Sequence, residues 1–360
     1  MARAILRGVM ALIVLLVIVL LAALGYRAWR QHGTALALAI TAPRGIDEAR
    51  FVKIGGIDQF IQIRGEDRGN PVILILQGGP GISMLGLTPI FRSWERYFTV
   101  VQWDQRGTGK TYGRNGGRAE APSMTIARMT QDGLEVAAFL RSRLHKDKII
   151  VLGHSWGTVL GLRMVRQQPA MFSAYVGTGQ LVDKAQNEQR SYAQLLAKVR
   201  AAHDAAGVAE LTQLGPPPYR SLAALYAQRK WLTAYDTPAE RDLTATLAPM
   251  ILLAPNYSLQ DLYDFRASTA FAQTVTYDEI NAYDARKLGL TFAVPFFVFE
   301  GSQDNQTPTV LAQDYAATVR APVKRFVLLP GGGHSAMLTM PDAFLKALLA
   351  YVRPIVPDGR

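Results

Sequence analysis

The chain contains no cysteine, and its five histidines include no closely spaced pair. Thiolate metal centres are therefore excluded, and a histidine-based zinc site finds no ligand set, so neither metal nor cofactor is expected. The missing thiols leave the compartment open. Also missing is any dense Lys/Arg cluster interleaved with aromatics: the net charge of +11 is spread along the chain. That distribution reads as a solvated surface, or at most as attraction to anionic headgroups, and no nucleic-acid partner is expected. Gly109-Lys110-Thr111 matches the tail of a phosphate-binding G-x-x-x-x-G-K-T loop, but the first glycine is absent and Asp104 stands there. A carboxylate at that point would repel a phosphate, so Asp104 and Arg106 read instead as a structural pair bracing neighbouring loops. No internal repeat or low-complexity tract interrupts the chain.

What is present begins with an apolar N-terminus. Residues 9–25 are uninterrupted apolar and carry no polar face. Such a run is close to the minimum for a bilayer-spanning helix and unlike an amphipathic core helix. It exceeds the about 7–15 apolar residues of a signal peptide. The nearest small-x-small pattern, Ala35-Leu36-Ala37, comes only after Arg27, Arg30 and His32. An uncleaved membrane anchor is the expectation. Arg3 and Arg7 nearly balance Arg27, Arg30 and Arg44 across the run, so the charge rule is close to neutral. A short N-terminal flank usually stays inside, which favours a folded domain outside the cytoplasm.

The remaining chain, within 360 residues of 49% hydrophobic composition, is ample for a packed core. Residues 51–180 alternate strand-like apolar runs with helical patterns, and strand-helix order returns near residue 292. This predicts an α/β fold with a mostly parallel sheet and helices on both faces. Between them, helix formers broken by Gly215-Pro216-Pro217-Pro218 and Pro238 suggest an inserted helical cap. The expected organisation is an anchor over 1–30, a linker over 31–50, core over 51–180, a cap over 181–290 and core again over 291–360.

The chemistry is concentrated at Gly153-His154-Ser155-Trp156-Gly157, which follows the apolar run 148–152 and precedes apolar residues at helical spacing. A strand, sharp turn and helix in that order form a nucleophile elbow, which lifts a serine hydroxyl clear of its own backbone. A bare G-x-S-x-G arises by chance in roughly one chain in ten of this length, so the assignment depends on its company. After a strand-like run, the polar loop 300–308 offers Asp304 as the acid, with Glu300 at the strand end as the nearest competitor. Among the histidines only His334 follows Asp304, after another strand-like run and three consecutive glycines. In this order Ser155 would attack, His334 would carry the proton and Asp304 would orient the imidazole. The oxyanion donors expected are the backbone N–H of Trp156 and that of Gly79, with Gly78 close by, in the loop Gln77-Gly78-Gly79-Pro80-Gly81 after an early buried strand.

Taken together, the 77–81 loop, Trp103-Asp104-Gln105-Arg106-Gly107-Thr108-Gly109-Lys110-Thr111 and the elbow resemble the proline iminopeptidase branch of the α/β-hydrolase superfamily. The loop ending at Pro308 and Gly333-His334-Ser335 are similar as well, so the resemblance covers roughly 51–352 and excludes the apolar start. It implies the α/β-hydrolase fold, a serine acyl-enzyme and release of N-terminal residues from small peptides. Two positions depart from the pattern. Gln77 stands where members carry histidine, which changes what buttresses the loop, and the middle region has no Trp-x-x-Trp-Glu, which in that family supplies a glutamate for the substrate amine. The candidate replacements are Asp183, Glu188, Asp236, Glu240, Asp261, Asp264, Asp278 and Glu279, and Tyr192, Tyr219, Tyr226 and Trp231 are candidates for an apolar pocket. A membrane-anchored aminopeptidase-like serine hydrolase is the reading, acting on a small peptide or acyl substrate. A small-molecule carboxylesterase and a non-catalytic binding module are the alternatives.

Overall fold

The computed structural model describes residues 1–356. Eight strands form one sheet: β1 (Ile46–Ile54), β2 (Ile57–Gly65), β3 (Val72–Leu76), β4 (Thr99–Asp104), β5 (Ile149–His154), β6 (Phe172–Thr178), β7 (Phe296–Gly301) and β8 (Lys324–Leu329). Their order is β1-β2-β4-β3-β5-β6-β7-β8. Only the hairpin β1–β2 and the β2–β4 pair are antiparallel; the rest of the ladder is parallel.

The two-sided burial expected of a parallel sheet is visible in β3, whose five residues Val-Ile-Leu-Ile-Leu are all buried. Successive side chains point to opposite faces. Leu74 and Leu76 pack with the helices Ile126–Leu144 and Trp156–Gln167, while Ile73 and Ile75 pack with Phe91, Trp94 and Phe344. The layers are therefore helix, sheet, helix, as the alternating sequence predicts.

After β3 the chain adds β4 on one side and then crosses to add β5 on the other. At such a switch point the loops leaving the two strands diverge and open a crevice at their carboxyl ends. The loops leaving β3 and β5 are those of Gly78 and Ser155.

Between β6 and β7 the chain is helical, from Lys184–Ala201 to the short 3₁₀ turn Ala285–Leu288. The insert leaves and re-enters at one point, where Asp183 and Asp284 form an isolated antiparallel bridge. It has a small core of its own in Tyr192, Leu195, Val199, Leu211 and Leu232. At the N-terminus one continuous helix spans Ala2–Leu38. The stretch expected as a linker over 31–50 is thus helical to Leu38 and joins the sheet at Ile46. β1 reads Ile-Asp-Glu-Ala-Arg-Phe-Val-Lys-Ile and is largely exposed between its ends, so it lacks the apolar run that marks the inner strands.

Candidate active site

Ser155 lies between β5 and the helix Trp156–Gln167 with φ 53° and ψ −117°, outside the regions favoured by L-residues. The tightness of the elbow explains its flanking glycines. A Cβ on Gly157 would lie 1.9 Å from the Leu76 carbonyl oxygen, and one on Gly153 would lie 2.7 Å from the Gly157 carbonyl oxygen. Larger residues at either position would push the helix off the sheet.

Ser155, His334 and Asp304 form one hydrogen-bonded chain. Ser155 Oγ is 3.0 Å from His334 Nε2, and His334 Nδ1 is 2.9 Å from Asp304 Oδ2. Asp304 is buried and also accepts the backbone N–H groups of Gln306 and Thr307 at 2.8 Å each and the Thr307 hydroxyl at 2.7 Å. Burial pushes the Asp304 carboxyl up, but the His334 partner and the Thr307 bonds outweigh it, and the net shift is downward. Burial alone would drive the His334 imidazole down; the charge of Asp304, its hydrogen bond and the charge of Glu240 reverse this, and the net shift is upward.

Glu300 does not touch His334. Its two oxygens accept the backbone N–H groups of Gly179 and Gln180 at 2.8 and 2.9 Å. Burial and the neighbouring Asp304 charge hold its carboxyl well above the usual range. Gly179 packs so closely on the imidazole that a Cβ there would lie 2.8 Å from His334 Cε1. Glu300 therefore supports the wall behind His334, and Asp304 is the acid in contact with it.

Gly78, Gly79 and Trp156 line the same cavity as Ser155 and His334. A Cβ on Gly78 would lie 3.2 Å from Ser155 Cβ, so this loop runs beside the nucleophile position. Trp156 opens its helix, and the first N–H groups of a helix have no intrahelical acceptor. Gln77 holds the loop through a side-chain relay: Gln105 Nε2 donates to Gln77 Oε1, and Trp156 Nε1 donates to Gln105 Oε1, both at 3.0 Å.

Two contacts were not legible in the sequence. His154, the variable residue of the elbow, is buried with Nε2 at 3.2 Å from the His334 carbonyl oxygen, which ties the nucleophile strand to the histidine loop. Burial and the nearby His334 depress its pKa to about 3. The expected Asp104–Arg106 pair is corrected: Arg106 binds Asp132 in a buried ion pair with bonds of 2.8 and 3.1 Å, and Asp104 accepts the Lys110 N–H at 2.8 Å. Asp132 lies on the helix Ile126–Leu144, a long-range partner that spacing does not reveal.

Of the eight cap carboxylates, Glu188, Asp236 and Glu240 line the cavity. Glu188 is neutralised by Lys184 and by Arg229, the latter at 2.6 Å. Among the described residues Asp236 and Glu240 make no ion pair, and burial raises both carboxyls. The others serve locally: Asp183 pairs with Arg286, Asp261 with Lys110, Asp264 accepts from Gln260 and Glu279 from the Ile126 N–H. Asp278 lies in the first turn of the helix Tyr277–Asn281. Of the four aromatics, only Tyr226 reaches the cavity; Tyr192 and Trp231 belong to the cap's own core and Tyr219 is buried.

Comparison with known proteins gives the family and the fold. The model of the alpha/beta hydrolase family matches residues 73–347. The protein named "Probable aminopeptidase YbaC" of Bacillus subtilis is 30% identical over 87% of this chain and 99% of its own. The crystal structure of a proline iminopeptidase-related protein of Thermus thermophilus superposes with a TM-score of 0.63 at 20% identity, covering 86% of this chain and 100% of that one. A bacterial membrane phospholipase A superposes with a TM-score of 0.59 at 12% identity, covering 97% of this chain and 98% of that one. At these identities the two structures speak to the fold.

Proposed function

The chain belongs to the alpha/beta hydrolase family, and from that premise we propose that it is a membrane-anchored serine hydrolase of aminopeptidase type, with Ser155 as nucleophile, His334 as general base and acid, and Asp304 as orienting acid. The observation that carries this reading is the continuous hydrogen-bonded chain from Ser155 Oγ through His334 to Asp304, with bonds of 3.0 and 2.9 Å.

In the first half-reaction His334 Nε2 takes the Ser155 proton as Oγ adds to the scissile carbonyl. The oxyanion is met by the N–H groups of Gly79 and Trp156, with Gly78 forming the adjoining wall. His334 then returns the proton to the leaving amine, and the acyl group stays on Ser155. Water, deprotonated by the same imidazole, releases it in the second half-reaction. Asp304 remains ionised and stabilises the imidazolium in both. Asp236 and Glu240 would hold the free α-ammonium of the substrate, because they are the cavity carboxylates of the cap that make no ion pair among the described residues, whereas Glu188 is paired. The probable aminopeptidase among the relatives supports the aminopeptidase type of the reaction.

The test is turnover of prolyl and alanyl arylamides with the α-amine free or acetylated, beside short-chain aryl esters. An aminopeptidase requires the free amine, and acetylation should lower kcat/KM by about 100-fold or more, as expected when buried charges lose their partner. Ester turnover indifferent to an amine would instead establish the carboxylesterase reading, which the large and mostly apolar cavity of about 1500 Å³ favours.

A further inference from the structure

The cavity above Ser155 has a volume of about 1500 Å³, beyond the ~300–1,000 Å³ of an ordinary small-molecule site. A short peptide leaves much of it unfilled. The unfilled part is apolar, and its wall includes the N-terminal helix: Ala23, Leu24 and Arg27 line the same cavity as Ser155.

Another wall is the cap helix Leu243–Leu252, which reads Leu-Thr-Ala-Thr-Leu-Ala-Pro-Met-Ile-Leu and has no charged residue; Leu247, Met250 and Ile251 pack half-buried against the core, while Ala245, Ala248, Pro249 and Leu252 stay exposed. One face thus meets the core, and the apolar residues left exposed on the other are of the kind that a membrane or a partner covers. The two walls are tied together: Arg27 donates to the carbonyls of Leu252 and Tyr257 at 3.0 and 2.6 Å, and Gln31 donates to those of Ala254 and Tyr257 at 2.6 and 2.9 Å.

The depth of this junction follows from helix geometry. At about 1.5 Å per residue the apolar run 9–25 is roughly 25 Å long, close to the ~30 Å hydrocarbon thickness. Ala23 and Leu24 belong to the end of that run. Tyr26 and Trp29 follow as an exposed aromatic pair with ring centroids 5.9 Å apart, the residue types that favour the headgroup level. The cavity wall therefore straddles the boundary between acyl chains and headgroups.

From this juxtaposition we propose that the cavity is a chain-binding site opening to the bilayer between the N-terminal helix and the helix Leu243–Leu252, and that the substrate is a single-chain amphiphile whose alkyl chain lies along it with the scissile carbonyl at Ser155. The inference rests on Ser155 as the nucleophile. Its chain enters from the lipid without leaving apolar surroundings, while the polar bond to be cleaved meets His334.

The test uses full-length protein in phosphatidylcholine vesicles and two fluorophosphonates that differ only in a methyl or dodecyl substituent on phosphorus. The dodecyl probe should label wild type at least tenfold faster than the methyl probe. Ala23→Trp on the N-terminal helix and Ala248→Trp on the cap helix each set a large side chain into the cavity wall, and each should lower the dodecyl-to-methyl rate ratio at least fivefold. Equal labelling of wild type by the two probes, or a ratio unchanged in both variants, would overturn the chain site. Absence of labelling by either probe would instead overturn the nucleophile assignment on which it depends.

Discussion

Glu240 accepts the Ser335 backbone N–H at 2.5 Å, so a carboxylate of the inserted helices is fastened to the residue that follows His334. The approach is close: a Cβ on Gly333 would lie 2.4 Å from Glu240 Cγ. A residue proposed to hold the substrate amine thus also acts on the proton affinity of the imidazole.

This contact fixes a pH prediction. His334 must be neutral to accept the Ser155 proton, and its pKa is raised, with the charge of Glu240 among the causes. The acidic limb of kcat/KM should therefore lie above the ordinary value of 6.5 for histidine. Glu240→Gln removes one negative charge and should move that limb to lower pH on a substrate that carries no amine, such as an aryl ester. A limb that stays in place would show that Glu240 does not act on His334.

The two acids at the end of β7 should separate cleanly. Asp304→Asn can no longer hold the required tautomer, and kcat should fall by about 10³–10⁴. Glu300→Gln keeps one acceptor for the Gly179 and Gln180 amides and removes a charge that burial disfavours, so kcat should fall by less than about tenfold and stability should change by no more than about 1 kcal/mol. Steady-state kinetics with thermal melts checks both, and a reversal of the ranking would exchange the roles.

Asp104 makes a prediction about stability. Burial raises its pKa from 3.8 to about 7, so the folded state holds the proton more tightly than the unfolded chain. That contribution is complete below the ordinary value and is lost as pH rises through about 7. Asp104→Asn keeps an acceptor for the Lys110 N–H without the charge. It should stabilise the protein at about pH 8 by on the order of 1 kcal/mol and flatten the decline between about pH 4 and 7. Melting temperatures across that range would show the difference, and a destabilised variant at every pH would contradict it.

Local structure was what the sequence carried best. The elbow was legible because strand, turn and helix are consecutive, and the loops of Asp304 and His334 because each directly follows an apolar run. Glu240 and Asp236 could not be singled out among eight carboxylates, since their position depends on how the inserted helices fold back over the sheet. Nor could Asp132 be found as the partner of Arg106, or His154 as a tie to the His334 carbonyl, because both contacts cross between elements. β1 was hidden by its charged, exposed middle. The apolar run near the N-terminus was plain, but its helix extends to Leu38 and contributes Ala23, Leu24 and Arg27 to the cavity of Ser155, a tertiary relationship that hydropathy does not encode.

The reactivity of Ser155 decides whether the protein is a serine hydrolase. Intact-mass measurement of full-length wild type and Ser155→Ala after treatment with a small fluorophosphonate tests it, with circular dichroism confirming that both are folded. One adduct on wild type, mapped to Ser155, and none on the variant is the predicted result. An adduct of equal yield on Ser155→Ala, or none on folded wild type, would contradict the serine-hydrolase reading.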